Sequence, residues 1–214
     1  MVEGRGAHLR DPDAISAASF ATIRREAPIE RLPADFQALA LRLIHSCGMP
    51  DILADLAWSA DAVASGREAL AAGAPILVDA TMVAAGIRRE RLPGANPIVC
   101  TLAEAQARAA ALGTTRSAAA VDLWGERLAG AVVAIGNAPT ALFHLLEMVL
   151  DGGPRPAAIV GCPVGFIGAA ESKQALVDLH AEHGIEIPYA TVRGRRGGSA
   201  MTSSALNALA QEAE

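Results

Sequence analysis

Apolar positions in this chain recur with two periods, and the alternation between them lays out a fold. Short Val/Ile/Leu/Ala runs bounded by Gly, Pro, Asp or Thr stand at 75–78, 97–101, 131–135, 157–161 and 188–192. Continuous apolar runs of that length suit strands buried on both faces of a parallel sheet. Between them apolar residues return every three or four positions, as an amphipathic helix requires. Asp13 can cap a helix over 14–27, stopped by Pro28. A second helix, 33–47, puts Phe36, Leu39, Ala40, Leu43 and Cys47 on one stripe and stops at Gly48. The pattern adds an edge strand at 53–58, a helix at 61–72 and a helical turn at 81–85. It continues with an Ala-rich helix ending at Leu112 and another, capped by Thr114 or Thr115, running to Leu128. Ala169–His183 and a closing helix from Ser199 complete the set.

The stretch 128–150 organises the rest: a strand, a Gly-Asn-Ala-Pro-Thr turn, and a helix entered through Pro139. Backbone N–H groups near Asn137 would point beyond the strand's carboxyl end, where open α/β sheets bind ligands and helix dipoles favour anions. An ordinary βα turn has the same pattern. Alternating strands and helices on short loops predict a three-layer α/β/α sandwich with a mainly parallel, flavodoxin-like sheet of about five strands. The chain reads as one domain over 1–214, with 1–12 a loose arm.

Composition narrows the function. A hydrophobic content of 52% excludes disorder, and 3% aromatics leaves the core to Ala, Val, Leu and Ile. A net charge of −5 argues against non-specific nucleic-acid binding. The basic residues are nearly all arginine, with Lys173 the lone lysine. Compositional bias accounts for this, as does carboxylate or phosphate recognition by guanidinium forks. Cys47, Cys100 and Cys162 fall in no metal spacing and read as reduced apolar fillers. The first residues lack the apolar core of a signal peptide, and no run of 18 apolar residues offers a membrane span. Together these suggest a cytoplasmic protein.

Common catalytic motifs are missing: no phosphate-binding loop, no dinucleotide fingerprint in GCPVGFIG (161–168) and no nucleophile elbow. His180 and His183, three apart on a helix, read as surface residues rather than metal ligands. His45, near the end of the second helix, is accounted for by the helix dipole, and its imidazole is also a candidate proton donor. Arg42 lies one turn earlier and can share its side. Thr115-Arg116-Ser117 opens a helix with hydroxyls, N–H groups and a guanidinium, either a plain cap or an oxyanion receptor. RGRRGGSAMT (193–202) repeats the design with Arg193, Arg195, Arg196 and the Ser199 helix start, glycines allowing close backbone approach. A solvated charged loop is the alternative. The residues describe a pocket for several anionic groups, holding one histidine and no cofactor motif.

Several segments carry a specific likeness: SFATIRREA (19–27), IHSCG (44–48), APILVDATMVAAGI (74–87), TRSAAAVDLW (115–124), VAIGNAPTALFHLLEM (133–148), PVGFIGAAESK (163–173) and VRGRRGGSAMTSSALNALA (192–210). In order and over nearly the whole chain from about residue 11, they resemble the precorrin-8X methylmutase family of cobalamin biosynthesis. The resemblance implies a flavodoxin-like homodimer with pockets near the subunit interface. It implies an isomerase that shifts a methyl group between adjacent carbons (11 to 12) of the ring-C pyrrole, a 1,5-sigmatropic rearrangement giving hydrogenobyrinate or, with cobalt, cobyrinate. No metal or cofactor is implied, and hand-over of product to the next pathway enzyme is. By resemblance His45 protonates the tetrapyrrole and Ser19 contacts it, while Arg42, Arg116, Ser117, Arg193 and Ser199 fall in segments facing its carboxylates. Two positions depart from the family pattern. Ser16 replaces an expected aromatic and Cys162 an expected Met or Val, a loss of bulk beside the expected pocket. A non-catalytic corrinoid carrier is the alternative from another class, and a flavodoxin-like phosphate or nucleotide binder a weaker third.

Overall fold

In the computed structural model, which describes residues 9–211, five parallel strands and one antiparallel strand form a single mixed sheet. The expected arm at 1–12 lies mostly outside the described residues. Helix α1 is Pro12–Glu26, and its cap is Asp11, whose carboxylate accepts the Ala14 N–H at 2.7 Å. Asp13 therefore sits in the first turn, where its charge meets the dipole, because Pro12 already occupies the first helical position. Helix α2, Ala34–Cys47, stops at Gly48, whose φ of 69° takes the left-handed conformation that glycine tolerates. The expected strand at 53–58 divides into a 3-10 turn, Pro50–Asp55, and a three-residue strand β1, Leu56–Trp58.

The chain then alternates: α3 (Ala62–Ala71), β2 (Ile76–Val78), α4 (Thr81–Gly86), β3 (Ile98–Val99), α5 (Ala105–Leu112), α6 (Arg116–Asp122), β4 (Val132–Ile135), α7 (Pro139–Leu150), β5 (Ala158–Gly161), α8 (Ala169–His183), β6 (Tyr189–Val192) and α9 (Ser199–Leu209). Thr115 caps α6 by accepting the Ala118 N–H at 3.2 Å. The helix expected to run to Leu128 ends at Asp122 and gives way to a 3-10 turn, Gly125–Leu128, which Gly125 enters at a φ of 52°.

Strand order is β1-β6-β5-β4-β2-β3. Counting the parallel strands alone gives 2-1-3-4-5, the flavodoxin-like order, whose direction of winding reverses between β2 and β4. The sheet has six strands rather than about five, since β1 pairs antiparallel with β6 in the register Leu56↔Val192. Successive strand residues feed opposite faces. Ile76, Val78, Val132, Ala134, Val160 and Val192 join the core beneath α1–α4 and α9. Leu77, Val133, Ile135 and Ile159 join the core beneath α7 and α8. Nearly all are fully buried, which is why the strand pattern is continuous rather than alternating.

Candidate active site

Chemistry-bearing side chains collect in two places: the outer face of α1 and α2, and the loops at the carboxyl edge of the sheet. On the first, Ser19 Oγ lies 2.8 Å from His45 Nδ1 although the residues are 26 apart in sequence. The packing of α1 against α2 makes this pair. Phe20 meets the His45 ring edge-on at 5.2 Å between centroids, and the Arg42 guanidinium carbon stands 5.2 Å from the Phe20 centroid. Arg42 also donates to Gln211 Oε1 at 3.0 Å. His45 is exposed and borders a cavity of about 370 Å3 with Ser19, Thr22, Glu26, Ile44 and Pro50. A Ser–Nδ1 contact leaves Nε2 as the nitrogen not engaged by the serine. That is the geometry of an imidazole oriented by one ring nitrogen and reactive at the other.

The reversal point between β2 and β4 is occupied from within. Asp79, directly after β2, accepts the Gly136 N–H at 2.9 Å on Oδ1 and the Asn137 and Ala138 N–H groups at 2.9 and 2.8 Å on Oδ2. The N–H groups expected to receive a ligand anion at the start of α7 thus hold the protein's own carboxylate. This corrects the backbone role expected around Asn137, whose side chain remains exposed. Burial pushes the Asp79 carboxyl above the usual carboxylate range, and the three N–H bonds, Gly136 foremost, pull against it. Sequence reasoning missed Asp79, although an aspartate closing a buried strand at this position is a visible signal.

The loop after β6 is likewise partly committed. Arg196 sends one nitrogen to Asp51 Oδ2 at 2.6 Å and the other to Asp55 Oδ2. These hydrogen bonds, with Asp51 first, hold its guanidinium above the ordinary arginine range. Arg195 lies over the ring of the exposed Phe166, 5.5 Å from its centroid. Of the three arginines expected to form one anion site, Arg193 alone has an exposed side chain with neither an ion pair nor a ring contact among the described residues. Gly197 serves internal contact: a Cβ there would fall 2.2 Å from the Cys162 carbonyl oxygen. Ser199 opens α9 beside the turn after β4, its Cα 3.1 Å from where a Gly136 Cβ would be. Asn137 and Ser199 therefore belong to neighbouring turns.

Arg116 and Ser117 begin α6, which is joined to the start of α7 by a 2.7 Å contact between the Thr115 and Thr140 hydroxyls. Arg116 is exposed and Ser117 half-buried. The two groups of residues are connected through the 3-10 turn after α2. Pro50 borders the His45 cavity, and Asp51, beside it, binds Arg196. Asp51 and Asp55 also escaped sequence reasoning, because nothing local marks a surface carboxylate as the partner of an arginine some 140 residues away.

Ser16 is exposed on α1, and Cys162 is buried in the core under α9, where burial pushes its thiol up to about 11. The loss of bulk at Cys162 falls within that core. All three cysteines are free. Among the described residues no group of three or more His, Cys, Asp or Glu side chains is arranged to hold a metal ion. His180 and His183 instead face Glu186 and Glu182 at 3.7 and 3.8 Å. No helix among the described residues is long and apolar enough to cross a membrane.

Comparison with known proteins identifies the family. The family model described as precorrin-8X methylmutase (CbiC) matches residues 14–212. The precorrin-8X methylmutase of Pseudomonas aeruginosa is 58% identical over 209 residues, covering 97% of this chain and 99% of that protein. That of a Sinorhizobium species is 57% identical, covering 95% and 96%. The cobalt-precorrin-8 methylmutase of Priestia megaterium is 31% identical over 92% of this chain and 87% of its own. Among solved structures, a precorrin-8X methylmutase from Thermus thermophilus superposes with a TM-score of 0.81 at 38% identity, covering 92% of this chain and 94% of that one. With a family model spanning almost the whole chain and relatives above half identity, this chain belongs to the precorrin-8X methylmutase family.

Proposed function

We propose that this chain is an isomerase of cobalamin biosynthesis that moves the methyl group on carbon 11 of precorrin-8X to carbon 12, giving hydrogenobyrinate. The curated relatives at 57–58% identity bear the precorrin-8X name and those at 31–37% the cobalt-precorrin-8 name, while solved structures at 38% and 31% identity also bear the precorrin-8X name. That division favours a substrate without cobalt. The rearrangement is internal: one carbon–carbon bond breaks and another forms within the same molecule, and the protein's task is to protonate and orient the macrocycle.

The observation that carries the mechanism is the Ser19–His45 pair at the mouth of an open cavity. In the imidazolium form both ring nitrogens carry hydrogen. Nδ1–H donates to Ser19 Oγ, and Nε2–H is available to the macrocycle. After transfer the neutral ring keeps Nδ1–H and its bond to Ser19, so the ring holds one orientation through the cycle. A positioned acid of this kind contributes on the order of a hundred to ten thousand fold. Orientation of a large, many-armed ring supplies much of the remainder. Arg42, Arg116 and Arg193, with Ser117, Asn137 and Ser199 at neighbouring helix starts, are the groups we assign to the peripheral carboxylates. The chain acts in this reading as one domain, 1–214, in a cytoplasmic homodimer whose pockets lie near the interface and whose product passes to the next enzyme.

The test is the visible spectrum on mixing protein with precorrin-8X, in which an orange corrin chromophore develops. His45→Ala loses that conversion while holding hydrogenobyrinate within a few fold of wild-type affinity. Undiminished turnover in His45→Ala refutes the acid assignment. A wild-type protein that binds but never converts the precursor would make it the carrier instead.

A further inference from the structure

Lys173, the chain's single lysine, has a fully buried side chain, and no step above uses it. An ammonium is costly to bury unless specific groups hold it. Here it sits on the second turn of α8 and donates to the backbone carbonyl of Arg196 at 2.6 Å. The Cys162 thiol and the Asp55 carboxylate are the ionisable groups that act on it. The carbonyl it grips belongs to the residue whose guanidinium spans Asp51 and Asp55. Those aspartates stand on the 3-10 turn that follows α2, six and ten residues after His45.

The backbone of the 193–198 loop has further anchors. Arg193 N–H donates to the Asp55 carbonyl at 2.8 Å, and Gly198 N–H to the Cys162 carbonyl at 2.8 Å. The Arg195 carbonyl accepts the Gly165 N–H at 3.2 Å. Lys173 is the anchor that carries charge, and a charge-assisted bond is about twice as strong as a neutral one. It also reaches the loop at its middle, directly after the exposed stretch Arg193–Arg195. Side chain and backbone of Arg196 thus form a strut: the lysine fixes one end, and the turn beyond His45 fixes the other.

We propose that Lys173 is a positioning residue that, through Arg196, keeps the 193–198 loop in register with the segment carrying His45, so that Arg193 and Ser199 meet the substrate's carboxylates while the imidazole faces the ring. This rests on the methylmutase reading above. Its test uses the full-length protein, with Lys173→Met, Arg196→Ala and the double variant compared for hydrogenobyrinate affinity and steady-state kinetics. In Lys173→Met and in Arg196→Ala, product Kd and KM each rise about tenfold or more. Meanwhile kcat falls less than about threefold, since the Ser19–His45 pair is built from α1 and α2. The double variant binds within about twofold of the weaker single one, because both substitutions cut the same strut.

A lysine that only supports the fold would lower the active fraction and leave KM alone. A Lys173→Met protein with native near-UV circular dichroism and Kd within twofold of wild type overturns the proposal. So do singles whose effects multiply in the double. Should Lys173→Met fail to fold, Arg196→Ala decides, because it leaves the lysine and its carbonyl acceptor in place, and unchanged Kd there is equally fatal. Failure of the function reading looks different: wild type itself then neither binds nor converts the tetrapyrrole.

Discussion

Replacing Gly197 by alanine tests how closely the two loops at the carboxyl edge of the sheet are pressed together. The added Cβ would lie 2.2 Å from the Cys162 carbonyl oxygen, 2.9 Å from the Cys162 carbonyl carbon and 2.8 Å from the Pro163 carbonyl oxygen. All three are backbone atoms at the end of a central strand, so no side-chain rotation relieves the overlap. Relief demands a separation of roughly 1 Å between the loops, comparable to overpacking a core, at about 1–3 kcal/mol. That movement also strains the 2.8 Å bond from Gly198 N–H to the Cys162 carbonyl, worth about 1 kcal/mol more. The expected destabilisation is therefore about 3 kcal/mol, or roughly 6–12 °C in melting temperature for a domain of this size. Urea unfolding at pH 7, with the m-value unchanged, measures it directly. Gly194→Ala is the matched control. That glycine has a φ of 76° with nothing within 4 Å of where its Cβ would stand, so it loses only the left-handed backbone term of about 1–2 kcal/mol. If Gly197→Ala unfolds within about 0.5 kcal/mol of wild type, or no earlier than Gly194→Ala, the close approach does not shape this loop.

Two further outcomes follow from particular contacts. Ser19→Ala removes the partner of His45 Nδ1 and leaves the ring free to rotate. Turnover should fall about tenfold, equivalent to about 1.4 kcal/mol, with product affinity little altered, and stopped-flow formation of the corrin chromophore reads the difference. Burial lowers the Lys173 pKa from 10.5 to about 8. Between those values the unfolded chain holds a proton that the folded chain has released, so stability rises with pH there. The Cys162 thiol, moved from 9.0 to about 11, acts oppositely: between those values the folded chain keeps a proton that the unfolded chain has lost, and stability falls. Urea midpoints should therefore climb from pH 8 to 9 and level off above it. Lys173→Met should show no climb, and a climb that persists in that variant contradicts the assignment.

Much of the fold was legible because its signals are local. The Val/Ile-rich runs at 131–135 and 157–161 became β4 and β5 with one residue trimmed from each, and Pro139 began α7 as its ring geometry requires. Gly48 and Thr115 ended and began helices as expected. Boundaries slipped where two local signals competed, as with Asp11 and Asp13 around Pro12, or where Gly125 interrupted a run otherwise suited to helix. The strand at 53–58 shortened to Leu56–Trp58, and its antiparallel direction had no local signature.

The candidate site divides along the same line. Residue types and spacings along the chain determined that there is a histidine at a helix end, a serine on the preceding helix, and arginines in a glycine-rich loop after a buried strand. They also determined the family, because long segments of side-chain chemistry are themselves the record of it. Tertiary structure decided which of these groups meet. It set Ser19 against His45, filled the start of α7 with Asp79, and joined Arg196 to Asp51 and Asp55 across 145 and 141 residues. Helix and strand periods act over a few residues. Charge pairing acts over a few ångströms, and only the packed order of the sheet brings such distant parts of the chain that close.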